Sequence, residues 1–165
     1  MKPQPREKRA KFTLTRNDEP MEELVKTTDQ RTLAVWALDC AERVLPYFEE
    51  KFPDDPRPRD ALTSLKVWID TGIFHMAAIR GASLASHAAA REVGEDTPAR
   101  SAARAAGQAV ATAHVPTHSL AAALYARQAV WRAADPDEAE AAVAKEREWQ
   151  YRRLLILRVG TGPDK

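Results

Sequence analysis

The sequence predicts an all-α fold, a single-domain antiparallel bundle of about six helices around a central alanine-rich helix. Apolar residues recur at spacings of three and four, and no segment alternates apolar and polar residues long enough to form a strand. Capping residues, prolines and glycines separate these periodic segments. Because 165 residues is the size of one ordinary domain, we expect one folded unit.

The first two predicted helices are amphipathic and have defined ends. Asp29 can cap the first helix, and Pro46 is expected to bend or restart it because proline lacks a backbone donor. The apolar stripe of this helix consists of Leu33, Trp36, Ala37, Cys40, Val44 and Phe48. The second helix begins with Asp55 as cap and Pro56 in the first position, and it ends at Gly72.

Three of the remaining four helices have equally clear boundaries. The third covers residues 73–93 and is closed by Gly94, and the fifth covers residues 117–134. The last begins at the sequence DPDE (residues 135–138), whose first aspartate can cap and whose glutamate completes a capping box. It ends near Gly160.

The fourth helix, PARSAARAAGQAVATAH (residues 98–114), is built almost entirely of small residues. It follows Thr97 and is closed by Pro116, and Val110 is its only large aliphatic side chain. Small side chains on every side let neighbouring helices approach closely from several directions, which favours the centre of a bundle. The alternative is a solvent-facing filler helix, since alanine has the highest helix propensity.

Charge divides the chain into a basic arm and a slightly acidic body. Residues 1–16 contain six basic residues and one acidic residue, a net charge of +5; because the whole chain carries +1, the rest carries −4. We therefore divide the chain into a basic, poorly ordered arm (residues 1–20), a helical domain (21–160) and a C-terminal tail (161–165). Nucleic-acid binding is not expected, and it would require the arm.

Several function classes lack the motifs they need. The chain has no P-loop, dinucleotide fingerprint, His-Glu-x-x-His or Gly-x-Ser-x-Gly sequence. No Glu-x-x-His pair supports a di-metal bundle, and Cys40 is the only cysteine. We expect no catalysis, metal or cofactor. No apolar run is long enough for a membrane span and no secretion signal is present, so a cytoplasmic location is expected.

Polar residues occupy positions where the helices should meet. If the alanine-rich helix is central, its arginines are expected to pair with Asp39, Glu42 or Glu146, because a buried charge needs a partner. The alternative is that each of these residues is an ordinary surface charge. The candidate polar network or binding site consists of Asp39, Glu42, Arg59, Arg80, His87, Arg91, Arg104, Gln108, His114, His118, Glu146 and Gln150.

Four segments carry a family resemblance: WALDCAERVLPYFEEKFPDDPRPRDAL, ASHAAAREV, ARSAARAAGQAVATAHVPTHSLAAALYA and KEREWQYRRL. Together, over residues 30–155, they resemble the immunity proteins of bacterial polymorphic toxin systems, in the group described as immunity-protein-five-like. The positions matching the family's motifs are Trp36, Asp39, Cys40, Glu42, Pro46, Arg57, Arg59, Arg91, Arg104, Gly107, His114, His118, Tyr125, Glu146, Trp149 and Gln150.

The resemblance implies an all-helical cytoplasmic protein that binds and neutralises a cognate toxin without catalysis of its own. Recurrent motif residues should serve the shared fold, so toxin contact is expected at helix ends and loops. The alternative is an enzyme or binding protein for a small anionic ligand, with an arginine, histidine and carboxylate pocket around the alanine-rich helix. A pocket lined by Arg80, Arg91, Arg104 and His114 would favour the ligand, and a filled interior would favour the toxin-binding protein.

Overall fold

The computed structural model describes residues 11–14 and 18–160, and within these residues it contains seven α-helices and no β-strand. The helices are α1 (Glu19–Lys26), α2 (Gln30–Glu49), α3 (Arg57–Thr71), α4 (Met76–Glu92), α5 (Pro98–Ala111), α6 (His118–Ala133) and α7 (Ala139–Gly160). The all-α prediction is confirmed. The additional helix is α1, and the antiparallel arrangement stays a prediction.

The short helix α1 lies partly inside the predicted arm of residues 1–20. It has only eight residues, so the spacing of Met21, Leu24 and Val25 by three and four extends over barely two turns. Met21 and Val25 nevertheless lie buried in the common core. The rest of the arm, apart from residues 11–14 and 18, lies outside the described residues, as does the tail of residues 161–165.

The helix ends follow the predicted capping chemistry at Asp29 and Gly72 and differ from it at four other points. Helix α3 begins at Arg57, so Pro56 precedes the helix and does not occupy its first position as predicted. The Asp29 side chain accepts a hydrogen bond from the Thr32 N–H, as expected, but α2 continues through Pro46 without restarting. Gly72 ends α3 with a positive φ of 67°, and the chain then runs as a loop to Met76, so α4 starts three residues later than predicted. The predicted start of the last helix at residues 135–138 is wrong, because residues 136–138 form a turn and α7 begins at Ala139.

Helix α5, the alanine-rich segment, occupies the centre of the bundle, as predicted. It packs against α2, α3, α4 and α6, and nine of its fourteen residues are buried. Two serines connect α4 to the backbone of α5. The Ser83 and Ser86 hydroxyls donate hydrogen bonds to the carbonyl oxygens of Gly107 and Ala103, respectively. The small residues therefore allow hydrogen bonds between neighbouring helices as well as close packing.

Gly107 allows a close approach between α4 and α5. A Cβ atom at this position would lie 2.8 Å from Nε2 of the His87 ring, which packs across the α5 backbone. Gly81 on α4 has no atom within 4 Å of the corresponding point. The two helical glycines therefore form a matched pair with opposite surroundings.

We expect Gly107→Ala to destabilise the protein by about 1–2 kcal/mol, because displacing His87 outweighs the gain in helix propensity. Gly81→Ala should stabilise it by about 0.5–1 kcal/mol, since alanine restricts the unfolded chain and meets nothing in the folded one. Urea denaturation of both variants checks the pair. Equal effects would contradict the close approach of His87 to α5.

Candidate functional site

The candidate polar residues separate into two groups and one isolated position. Asp39, Glu42, Glu146 and Gln150 lie on α2 and α7. The second group comes from α4, α5, the turn after α5 and the start of α6, and it consists of Arg80, His87, Arg91, Arg104, Gln108, His114 and His118. Arg59, at the start of α3, pairs only with Glu49 of α2 among the described residues.

Glu146 is the most buried carboxylate of the first group, with 8% of its side chain exposed. Both of its oxygens accept hydrogen bonds from Arg43, at 2.8 and 2.9 Å. The Arg43 guanidinium also lies 3.8 Å from the centre of the Trp149 ring. The hydrogen bonds from Arg43 to Glu146 raise the pKa of this arginine. The pair is a structural link between α2 and α7.

A surface groove of about 590 Å³ lies between α2 and α7, and its charged side chains are already paired. Asp39 accepts a hydrogen bond of 2.8 Å from Arg153, and Glu42 lies 3.8 Å from Lys66. Arg152 binds Glu148, one helical turn earlier. With these charges matched internally, the groove offers little unsatisfied charge to a ligand.

The predicted pairing between the α5 arginines and the carboxylates of α2 and α7 is wrong. Arg104 donates a hydrogen bond to His87, and Arg100 binds Asp96 and the Ala90 carbonyl oxygen. Residues 97–134 contain no acidic residue, so α5 and α6 cannot pair these arginines with each other's side chains. Glu146 is instead taken by Arg43 on α2.

His87 and Arg104 form a polar contact over Gly107. The Arg104 Nη1 atom lies 2.9 Å from His87 Nδ1, and because a guanidinium only donates, Nδ1 accepts. The neutral ring therefore carries its proton on Nε2. Burial lowers the pKa of His87 to about 4, and the positive charges of Arg104, Arg91 and His118 add to this effect. His87 is neutral at physiological pH.

This neutral histidine makes stability depend on pH. The pKa of His87 is about 4 in the folded protein and 6.5 ordinarily, so between these values the unfolded chain binds the additional proton. The contribution of neutral His87 to stability is therefore fully present above pH 6.5 and is lost as the pH falls from 6.5 toward 4. We expect a loss on the order of 1–2 kcal/mol, reduced from the full shift because the ring is partly exposed.

The substitution His87→Asn isolates this contribution. Asparagine can still accept a hydrogen bond from Arg104, but it does not titrate. The stability difference between wild type and variant should therefore shrink between pH 7 and pH 4.5, as measured by urea denaturation at both pH values. A difference independent of pH would contradict a neutral, buried His87.

The other residues of this group are split between two places. Gln108 lies beside His118, with its Oε1 atom 2.8 Å from His118 Nδ1. Arg80 and His114 line a separate groove of about 310 Å³ between α4 and α5. Arg91 and Arg104, also predicted to line a ligand pocket there, are not among the lining residues of this groove. The structure thus assembles half of the predicted pocket.

A third network, centred on Gln150, connects residues that the sequence analysis did not bring together. The Gln150 side chain is fully buried, accepts a 2.7 Å hydrogen bond from Arg127 Nε and donates one to the Ala123 carbonyl. Its own backbone carbonyl accepts a hydrogen bond from the Trp36 indole. Gln150 therefore joins α2, α6 and α7 in the interior.

Asp18 extends this network to the first residue before α1. Its two carboxylate oxygens accept hydrogen bonds from Arg147 at 2.7 and 2.8 Å, and Arg127 lies 3.3 Å away. The hydrogen bonds from Arg147 lower the pKa of Asp18. Burial lowers the pKa of Arg127, and the negative charge of Asp18 opposes this shift. Asp18 therefore offsets part of the desolvation cost of burying Arg127. Asp18 was not predicted because residues 1–20 were assigned to the arm, although an aspartate two residues before Pro20 is a helix-start signal.

Among the described residues, no group of three or more histidine, cysteine or acidic side chains is placed to hold a metal ion. None of the described helices combines the length and apolar character required to cross a bilayer. Burial raises the pKa of the Cys40 thiol well above its ordinary value, which disfavours the reactive thiolate.

The fold and these sites define a small all-helical protein whose buried polar groups are matched mainly to one another. The family model described as "Imm-5 like putative immunity protein" matches residues 23–156. The chain belongs to this immunity-protein family, which confirms the resemblance drawn from the sequence. No curated protein and no solved structure was found to match the chain.

Proposed function

We propose that this chain is an immunity protein that binds a cognate bacterial toxin in the cytoplasm, occludes the toxin's active site and catalyses nothing itself. The observation that carries the proposal is the family match, which extends from α1 into α7. Immunity families act on toxin partners in general, and the internally paired polar groups described above support a binding protein over an enzyme.

Coexpression tests the protective role. The toxin domain encoded next to this gene is induced in a bacterial host, with or without this chain. We expect the chain to restore growth to the level of uninduced cells and to give no protection against toxins from unrelated loci. The absence of an adjacent toxin gene across genomes, or growth arrest despite expression of the chain, would overturn the proposal.

A titration with purified proteins distinguishes binding from catalysis. Toxin activity should fall linearly as the chain is added and reach its minimum near the stoichiometry of the isolated complex. An enzyme that modifies or destroys the toxin would instead abolish its activity at a small fraction of that amount. This second outcome would contradict a non-catalytic immunity protein.

Binding of a small anionic ligand is a second candidate, favoured by the surroundings of Arg104. Burial lowers the pKa of Arg104, and the positive charges of Arg91 and Arg100 lower it further, whereas Tyr125 opposes this shift. An anion placed there would relieve this repulsion. Inorganic phosphate should then raise the melting temperature of wild type but not of Arg104→Gln. An equal response from both proteins would exclude this site.

A further inference from the structure

Exposed apolar side chains gather in the α3–α4 loop and on the outer face of α4. All residues from 71 to 78 are exposed. The exposed fractions are 61% for Ile73, 41% for Phe74, 45% for Met76 and 56% for Leu84. Met76, Arg80 and Leu84 are four residues apart, so they form one ridge along the helix.

This ridge borders the 310 Å³ groove between α4 and α5. Met76, Ile79 and Leu84 supply its apolar lining, with Ala111 on the opposite helix. At one end, the Phe74 and His114 rings stack with their centres 6.0 Å apart and their planes 15° apart. The hydrogen bond from Ser83 to the Gly107 carbonyl joins α4 and α5 at the groove.

Arg80 is the charged residue that lines the groove. Residues 71–91 include no acidic residue, and the nearest ones along the chain are Asp70 and Glu92 at either end of this segment. Arg80 is exposed, and no carboxylate of the described residues forms an ion pair with it. The first turn of α4 lacks both an acidic residue and a side-chain cap, so the positive end of the helix dipole adds to this potential.

We propose that this surface, comprising Ile73, Phe74, Met76, Arg80 and Leu84, is where the cognate toxin docks, with the motif residue His114 supporting it by stacking on Phe74. The complementary segment of the toxin combines an apolar side chain, which enters the groove, with a carboxylate, which binds Arg80. Exposed Met, Phe and Arg are the residue types enriched in protein interfaces. This inference rests on the proposed function and adds to it the contact surface and the chemistry of the partner.

A second copy of this chain is a poorer occupant of the same surface. In a two-fold symmetric dimer the same patch contacts itself, so the two Arg80 side chains would be brought together with no acidic residue in residues 71–91 to separate them. An acidic toxin surface gives attraction where a second copy gives repulsion. On charge complementarity, a toxin with an acidic contact surface therefore fits this surface better than a second copy of the chain.

Two pairs of variants test the surface. Leu84→Glu places a charge beside the groove and Arg80→Glu reverses its charge; both positions are exposed, so folding should be preserved. Val159→Glu and Lys145→Glu make the same changes at exposed positions of α7, which lies outside this surface. Thermal melts confirm that each variant folds, and calorimetry with the purified toxin domain encoded by the adjacent gene measures Kd.

We expect Leu84→Glu and Arg80→Glu each to weaken binding by about 30-fold or more, the effect of losing an interface hot spot. The α7 variants should change Kd by less than about threefold, as expected for positions outside an interface. A lysine substituted for the partnering toxin carboxylate should restore binding to Arg80→Glu. Affinity should also fall as salt rises, because the Arg80 contact is electrostatic.

The outcomes separate this inference from the proposed function. If wild type and all four variants bind the toxin equally, the docking surface is wrong and the immunity function stands. If wild type neither binds nor protects, the proposed function fails and the inference fails with it. Sedimentation supplies a further check: a wild-type dimer that Leu84→Glu converts to a monomer, with toxin binding unchanged, would assign the surface to self-association and overturn the proposal.

Discussion

The substitution Asp18→Asn is expected to lower the free energy of unfolding by about 3 kcal/mol, within the range for breaking a buried ion pair. Only 15% of the Asp18 side chain and 8% of the Arg127 side chain are exposed. Asparagine keeps the shape of the site but removes the negative charge, so Arg127 remains buried without an anionic partner. Because Arg127 also donates to Gln150, the loss should extend into the core between α6 and α7.

Urea denaturation at pH 7 measures this loss, and Asp54→Asn is the matched control. Asp54 is exposed in the link before α3, and its substitution should change stability by less than about 0.5 kcal/mol. The pH dependence gives a second check. Since the pKa of Asp18 is lowered in the folded state, its contribution is present above its ordinary pKa and is lost as the pH falls through the folded value. Equal stability of both variants would contradict the network.

The substitution Glu146→Gln should cost about 2–3 kcal/mol, because it leaves the bidentate partner Arg43 without a negative charge in a largely buried setting. Arg43 is 40% exposed, so water compensates part of the loss and the effect is smaller than at Asp18. For a chain of this length we expect a fall in melting temperature of roughly 5–10 °C. The Arg43 contact with Trp149 should also loosen.

Glu148→Gln, two residues further along α7, is the control for this experiment. Glu148 pairs with Arg152 on the exposed surface, with 59% of its side chain accessible. Such pairs contribute about 0.3–0.5 kcal/mol, so its melting temperature should change by less than about 2 °C. A change that small in Glu146→Gln as well would show that the α2–α7 pair has no buried structural role.

Local signals predicted the helices, but they could not predict which charges would meet. Asp29 and Gly72 act through their own backbone neighbours, so their roles are readable from nearby residues. The partner of Glu146 depends on which of several arginines on α2, α5 and α6 comes within hydrogen-bond distance. Arg43 lies 103 positions away along the chain, and no periodicity selects it over Arg104.

The short helix α1 and the surface groove between α4 and α5 were the hardest features to predict. Helix α1 spans barely two turns, and its N-cap residue Asp18 is held mainly by Arg127 and Arg147, more than 100 positions away. Two polar residues of the groove between α4 and α5, Arg80 and His114, were predicted, because they lie on segments expected to meet. Its apolar lining was missed, since Met76 and Leu84 resemble ordinary core positions in a helical pattern.

The central position of α5 has a consequence for the order in which the protein folds. Because α5 contacts α2, α3, α4 and α6, none of these four helices can complete its packing before α5 is in place. Its alanine content lets it form with little tertiary help, which suits it to the folding nucleus. Substitutions within α5 should therefore slow refolding, whereas changes that detach α1 should mainly accelerate unfolding.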